Sequence, residues 1–349
     1  MRLGVIAENI IERVFLKSNA VPEPLLETHL AFCMARSIMT GAKLGLFEAA
    51  GDGARSAADI ARICATNPGA TAKLLNSLAA CDYFKFNAGA YSLTPKARKW
   101  LLRRSPVNLC DKLQFQFHEW HFVEGYEAFV RTGKPMAGHA GMDDGNFWKI
   151  YQRGMRNVAG LSAREVANRS PVPTGARDML DIGGSHGYFS VSLCRKHPNL
   201  KSVILDLPEA IREAAPILAE EKMGARVTHR PGNALTDELG EQSVDIVFMS
   251  QLVHHFTDEQ NRTLMKKIAR ALRPAGVCVM LDMIRPKRPG DGGQAAALLD
   301  LYFAMISESG TWPMETMQDW LQSSGLAPLK PIWLRTAPGG ALVPGRKTS

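Results

Sequence analysis

Met179-Leu180-Asp181-Ile182-Gly183-Gly184-Ser185-His186-Gly187-Tyr188 is the stretch that decides how this chain folds. An apolar run ends in an acid and passes straight into a glycine turn, the pattern of a buried strand that hands over to a helix. Twenty-five residues after Asp181, Val203-Ile204-Leu205 repeats the pattern and again ends in an acid, Asp206. Two parallel strands, a helix between them and a carboxylate at the tip of the second make a nucleoside-binding half of a doubly wound sheet. The glycines let the backbone approach a ligand, and the Asp206 carboxylate accepts hydrogen bonds from both ribose hydroxyls.

The dinucleotide fingerprint G-x-G-x-x-G fails in both registers. From Gly183 it needs glycine where Ser185 and Tyr188 stand, and from Gly184 where His186 and Phe189 stand. A G-x-x-x-x-G-K-[ST] phosphate loop is also absent from this turn. The local pattern is D-x-G-G-x-x-G, with an acid just ahead of the turn. That acid repels a pyrophosphate and suits the ammonium and sulfonium of S-adenosylmethionine. The plainer reading is a glycine-rich turn with no ligand; the second acid at strand-end spacing argues against it.

The 349 residues predict a large core and about two domains, and 46% hydrophobic with 22% charged residues is an ordinary globular composition. The six cysteines show no C-x-x-C spacing and read as buried thiols of a reducing cytoplasm, not as disulfides or metal ligands. No metal constellation is visible. No apolar run approaches the roughly 18 residues of a membrane span. Arg2, Glu8, Glu12 and Arg13 sit in an amphipathic pattern unlike a signal peptide, so a cytoplasmic protein is expected. The net charge is +8, and Lys96, Arg98, Lys99, Arg103 and Arg104 contribute with no intervening acid. Nucleic-acid binding is one reading of that run and a solvated helix face the commoner one.

Residues 1–105 read as helices followed by a hairpin. Tyr83 to Phe86 and Ala90 to Leu93 flank Asn87-Ala88-Gly89, and Thr94-Pro95 opens a further helix. This is a winged-helix-like unit. Its candidate recognition helix, Thr71 to Ala80, offers only Lys73 and Asn76 among Leu74, Leu75 and Leu78. It reads as packing surface, and no nucleic-acid partner is expected. Residues 106–175 read as helical and aromatic-rich, with Pro171 to Gly175 as linker. From 176 to 349 the pattern alternates. Strands are expected near 178–183, 201–206, 226–230, 244–249 and 276–282, helices near 187–197, 208–222, 259–272, 294–308 and 314–324, and two antiparallel edge strands within 328–344. The fold class is α/β: a doubly wound sheet behind a mostly helical N-terminal domain.

These segments resemble the S-adenosylmethionine-dependent small-molecule O-methyltransferases of the caffeate, flavonoid and hydroxyindole type and their bacterial relatives. Leu180 to Gly184 with Gly187 resembles the family's cofactor loop, and Ile204-Leu205-Asp206-Leu207-Pro208 its ribose-binding segment. Gly232-Asn233-Ala234-Leu235 resembles its adenine segment, and Phe248 to Glu259 the stretch that carries its catalytic histidine. The resemblance implies a class I methyltransferase domain and an N-terminal dimerisation domain, hence a homodimer acting on a small molecule. It places cofactor contacts at Asp181, Gly183, Gly184, Gly187, Asp206, Leu207, Asn233, Ala234 and Ser250. It places the general base at His254 with Asp282 orienting it. Histidine suits that task because its ordinary pKa is about 6.5, whereas a phenol holds its proton to about 10. The alternative role for His254 is a cap on the helix opening near Thr257. A second orienting acid of the family falls at Thr311, which departs from the pattern, and Asn233 stands where relatives carry Asp. Phe117, Trp120, Trp148, Met155, His255, Phe303 and Met305 are candidates to line an apolar pocket for a planar acceptor. Methylation at carbon or nitrogen, and use of the cofactor without methyl transfer, remain the alternatives.

Overall fold

The structure, a computed structural model, describes residues 3–136, 145–291, 293–307 and 309–348. It divides into two compact units, residues 1–118 and 119–349.

The first unit is built from helices α1 (Ile10–Lys17), α2 (Ala31–Lys43), α3 (Leu46–Ala50), α4 (Ala57–Cys64) and α5 (Pro68–Ala80). Strands β1 (Phe84–Asn87) and β2 (Ala90–Leu93) and helix α6 (Pro95–Leu101) follow. The starts are legible chemistry. Ser56, Asn67 and Thr94 each accept a backbone N–H three residues on, and Pro68 and Pro95 sit at the first helical position. Leu46, Phe47, Ile60, Leu75, Leu78, Phe84 and Tyr91 close one core. The hairpin turn is tighter than the sequence implied. Asn87 pairs with Ala90, so only Ala88 (φ +47°) and Gly89 (φ +80°) make the turn, a two-residue connection with both φ angles positive.

The basic run is internally engaged. Arg98 and Arg104 both pair with Asp52, Arg103 lies 2.8 Å from Asp111, and Lys96 donates to the Cys81 carbonyl. The cysteine expectation needs correction: all six are free thiols, but only Cys110, Cys194 and Cys278 are buried. Cys64 and Cys81 are half-buried, and Cys33, near the start of α2, is exposed.

Helix α7 (Cys110–Val123) carries the boundary between the units, and α8 (Tyr126–Thr132) and α9 (Gly145–Arg169) open the second. The sheet then begins: β3 (Asp178–Ile182), α10 (Tyr188–Lys196), β4 (Lys201–Asp206), α11 (Pro208–Glu220), β5 (Val227–Pro231), β6 (Val244–Ser250), α12 (Asp258–Ala271) and β7 (Leu272–Arg285). Helices α13 (Gly293–Ile306) and α14 (Met314–Ser323) and strands β8 (Leu326–Pro328), β9 (Ile332–Trp333) and β10 (Gly340–Lys347) complete it. The strand order is β9-β10-β7-β6-β3-β4-β5, with β8 against β10. The pairs from β7 to β5 are parallel and β10 runs antiparallel to β7. The chain builds outward through β4 and β5, then returns to lay β6 on the other side of β3. That reversal opens a crevice at the carboxyl ends of β3 and β6.

The central strands are apolar on both faces, as a covered parallel sheet demands. Leu180, Ile182, Val247, Met249, Cys278 and Met280 pack with α12 and α14, while Met179, Ile246, Phe248, Val277 and Val279 pack with α9 and α10. Among the described residues no helix is long and apolar enough to cross a membrane. Trp320 is fully buried on α14, 5.1 Å edge-to-face from Trp312, and its indole N–H donates to Asp258 at 2.7 Å. Trp320→Ala is expected to cost about 3–5 kcal/mol in urea unfolding. Trp320→Phe, which keeps most of the volume, is expected to cost clearly less.

Candidate active site

Every part of the cradle follows from the turn between β3 and α10. Gly183 and Gly187 adopt φ of +66° and +73°. A Cβ on Gly184 would stand 2.5 Å from the Asp181 carboxylate, and one on Gly187 would stand 2.5 Å from Ile204. Gly184 is therefore demanded by the acid beneath it, and Gly187 by helix–strand packing. Ser185 takes φ +54°, a strained region for a residue with a side chain, and three bonds hold it there. Its N–H donates to Asp206 at 2.8 Å, its carbonyl lies 2.8 Å from His229 Nε2, and its hydroxyl donates to Gln152.

The two acids expected from the sequence flank this turn. Asp181 is only 1% exposed. Ser190 donates to its Oδ2 at 2.5 Å, while Oδ1 has no hydrogen-bond partner among the described residues. Burial pushes the Asp181 carboxyl up to about 7, the Ser190 bond opposes that, and the neighbouring Asp206 adds to it. Asp206 accepts from Ser185 and Leu207 N–H, each at 2.8 Å. Burial raises its pKa as well, against the pull of those two N–H groups. A buried, half-satisfied carboxylate beside a second carboxylate is a site for a cation. The ammonium and the ribose of S-adenosylmethionine supply what Asp181 and Asp206 lack, so these residues fit that group.

One face of α9 closes the turn, and the sequence had assigned this helix only to acceptor lining. Gln152, Met155 and Arg156 stand at i, i+3 and i+4. Gln152 accepts from Ser185, and the Arg156 guanidinium lies 3.4 Å over the Tyr188 ring. The Met155 carbonyl faces the buried His186, whose Nδ1 accepts from Tyr188 N–H at 3.1 Å. Burial drives the His186 pKa down to about 3, with Arg156 adding to the fall, so this imidazole is a neutral strut. The remaining expected contacts sit at strand ends or just beyond them. Asn233 accepts from Leu235 N–H at 2.9 Å and donates its own N–H to Asp237 at 2.9 Å, which shapes the turn after β5. The Ala234 carbonyl accepts from Lys267, Leu207 is 38% exposed, and Ser250 ends β6 beside Leu281.

His254 lies one turn beyond β6. Gln251 bends the chain with φ +52°, and Val253–His255 forms a single 3₁₀ turn. That turn is fastened from two distant places: Asn261 Nδ2 and Trp312 Nε1 both donate to the Val253 carbonyl, at 2.9 and 3.1 Å. The following helix is capped by Thr257 and Gln260 in a reciprocal box, so His254 is not its cap. The imidazole is 1% exposed, and its Nδ1 lies 3.0 and 3.1 Å from the two oxygens of Asp282. A carboxylate only accepts, so the hydrogen sits on Nδ1, and the neutral tautomer this selects has its lone pair on Nε2. Met283 N–H donates to the same carboxylate at 2.8 Å and fixes its plane. The rings of Phe303 and His255 lie 4.3 Å from that of His254. At Thr311 the structure shows how the chain departs from the family pattern. The hydroxyl and N–H of Thr311 both donate to Asp300, so a carboxylate reaches this position from α13.

The other pocket candidates separate. Phe117 belongs to the first unit, where the Arg36 and Lys43 cations each lie 4.4 Å over its ring. Trp120 and Met155 are half-buried in the second unit, and Trp148 meets Tyr151 edge-on at 5.6 Å. Met305 is fully buried, and its carbonyl accepts from Met136 N–H at 2.7 Å. Sequence reading missed Gln152, His186, Ser190, Asn261 and Trp312. The polar residues placed on the inward spacing of α9 and α12 were the available signal.

Residues 109–325 match the O-methyltransferase domain family. The chain is 25% identical over 333 residues to a 3-hydroxy-5-methyl-1-naphthoate 3-O-methyltransferase of Streptomyces sahachiroi, covering 93% of this chain and 95% of that one. It is 30% identical over 184 residues to an L-tyrosine C(3)-methyltransferase of Streptomyces lavendulae, 52% of this chain and 48% of the other. Its fold matches the crystal structure of human N-acetylserotonin methyltransferase in complex with S-adenosylmethionine. The TM-score is 0.84 at 16% identity, over 99% of this chain and 100% of that one. The chain belongs to the O-methyltransferase domain family of S-adenosylmethionine-dependent methyltransferases.

Proposed function

We propose that this enzyme methylates a hydroxyl of an aromatic or polyketide-like small molecule, with His254 as general base. The observation that carries the reading is the His254–Asp282 pair, buried at the sheet edge one turn beyond β6. When bound, S-adenosylmethionine supplies an electrophilic methyl on a positively charged sulfur. The chain's own task is to position the acceptor and take its proton. Asp282 holds the Nδ1–H tautomer, so Nε2 of His254 is the atom that receives the hydroxyl proton as oxygen attacks. Phe303 and His255, tilted against the imidazole with centroids 4.3 Å away, supply ring surface for an aromatic acceptor. Similarity to a naphthoate 3-O-methyltransferase along nearly the whole chain supports an aromatic hydroxyl.

A second reading has methyl transfer to carbon, favoured by the 30% identity to a tyrosine C(3)-methyltransferase. We further propose that residues 1–105 form a dimerisation domain, 106–175 a connector and 176–349 the catalytic domain. The active form is read as a homodimer. Ile10, Ile11, Val14 and Phe15 of α1 are 77, 68, 59 and 50% exposed, an apolar stripe that a second copy would cover. Sedimentation is expected to return twice the chain mass of 38.2 kDa, and a monomer at micromolar concentration would remove this part.

His254→Ala is expected to lower kcat on a phenolic acceptor by about 10²–10⁴-fold. Affinity for S-adenosylhomocysteine should stay within about twofold, since the imidazole does not hold the cofactor. Asp282→Asn should cost about tenfold or more by releasing the tautomer. A rate indifferent to both substitutions would favour the carbon acceptor.

Asp181 sets a pH dependence. Folded, its carboxyl keeps its proton up to about 7, whereas the unfolded chain releases it near ~3.9. The folded state therefore binds more protons between these values. The stabilisation is complete at the acid end, shrinks by up to ~1.4 kcal/mol per pH unit and is gone above neutrality. Binding a ligand ammonium needs the ionised form, so S-adenosylhomocysteine affinity should fall as pH drops from 7 to 5.5 with release of a proton. Calorimetry in buffers of different ionisation enthalpy measures that proton, and Asp181→Asn should abolish its release.

A further inference from the structure

Two polar atoms packed against the turn at 183–185 have no hydrogen-bond partner among the described residues, and they are opposite in sense. One is the acceptor Asp181 Oδ1. The other is the donor Gln152 Nε2, on a side chain that is 0% exposed. Gln152 uses its Oε1 to accept from the Ser185 hydroxyl, so its amide is held against the cradle with the NH₂ unspent. A buried donor left unpaired costs a protein about 1–3 kcal/mol, a cost that a ligand acceptor removes. A ribose hydroxyl calls for an acceptor, which Asp206 supplies. A lone donor beside the turn calls for an anion or carbonyl, and the anion carried by the cofactor is the carboxylate of its amino-acid tail.

We infer that Gln152 is a cofactor-binding residue whose Nε2 donates to that carboxylate while Asp181 takes the adjacent ammonium. Together they read the zwitterion and make the site selective for the intact amino-acid tail. The inference rests on the S-adenosylmethionine reading above. It adds a residue from α9, far in sequence from the glycine turn, to the determinants of cofactor choice.

The test compares two ligands that share the thioadenosine and differ in the tail: S-adenosylhomocysteine, which has it, and 5′-methylthioadenosine, which does not. Affinities are measured by titration calorimetry on the full chain. Gln152→Glu keeps the oxygen that accepts from Ser185 and replaces the donor with an oxygen that repels a carboxylate. It is expected to weaken S-adenosylhomocysteine by about 10- to 100-fold and methylthioadenosine by no more than about twofold. Gln152→Met, which buries no charge, serves if the glutamate variant does not fold, and should also narrow the preference for the tailed ligand. Equal loss for both ligands in these variants would mean that Gln152 only props the turn, and unchanged affinities would mean that it does neither; each overturns the inference. Failure of the unsubstituted protein to bind either ligand would instead remove the cofactor reading, and this inference with it.

Discussion

A carboxylate set into a wall of hydrocarbon is the constraint around which this molecule is arranged. Asp181 stands in β3 between Leu180 and Ile182, with Ile204 and Phe248 beside it in register on the neighbouring strands. An ionised group there is costly unless partnered, so its surroundings are specified by its needs. Ser190 on the next helix donates to it and is itself bonded to Ser202 at 2.8 Å. The residue above it has to be glycine, because a Cβ at 184 would overlap the carboxylate. Among the described residues no positive charge pairs with it. The fold therefore keeps an acid that is a liability alone and an asset once a cation arrives, the usual relation between stability and function at a binding site.

The histidine site solves a similar problem by the opposite route. His254 and Asp282 are both buried, but each is partnered by the other. What needs support is the backbone of a short irregular turn, and that comes from Asn261 and Trp312 rather than from residues beside the histidine. Burying one asparagine amide to satisfy the Val253 carbonyl rigidifies the turn that carries the imidazole. The acid cradle thus keeps an open valence for a ligand, whereas the histidine pair is completed by the fold.

The parts of this arrangement that the sequence made legible are those carried by local pattern. Apolar strands ending in Asp181 and Asp206, a glycine turn between strand and helix, and Ser56, Asn67, Thr94 and Thr257 at helix starts each announce themselves within a few residues. The pairing of His254 with Asp282 came from family resemblance, since nothing local links positions so far apart. Gln152, Asn261 and Trp312 were not legible, because their roles depend on bonds to Ser185 and Val253 that only the folded chain brings near. Met305 is ambiguous for a related reason: an apolar residue on a helix reads the same whether it faces a core or a pocket. At Thr311 a substitution against the family pattern looked like a missing acid, yet Asp300 brings a carboxylate to that threonine from α13.

The sheet explains why the two halves of the site can obey different rules. Because β6 returns to lie beside β3, with Met249 opposite Ile182, the glycine turn and the histidine turn leave adjacent strands at the same edge. Their separation is set by the hydrogen-bond ladder and is indifferent to the length of chain between them. The acceptor side has no such ladder. The acceptor candidates Trp120, Trp148 and Phe303 come from three helices, α7, α9 and α13, joined by side-chain contacts such as that of Tyr302 with Glu119. A substitution there can reshape the pocket without moving either strand end. A substitution at Asp282 acts on a group whose strand position the ladder already fixes, so it changes chemistry with little change of shape, whereas one at Gly184 or Gly187 collides with the Asp181 carboxylate or Ile204. The acceptor candidates are accordingly the part this architecture leaves free to vary, while the acid cradle and the His254–Asp282 pair are tied to the sheet itself.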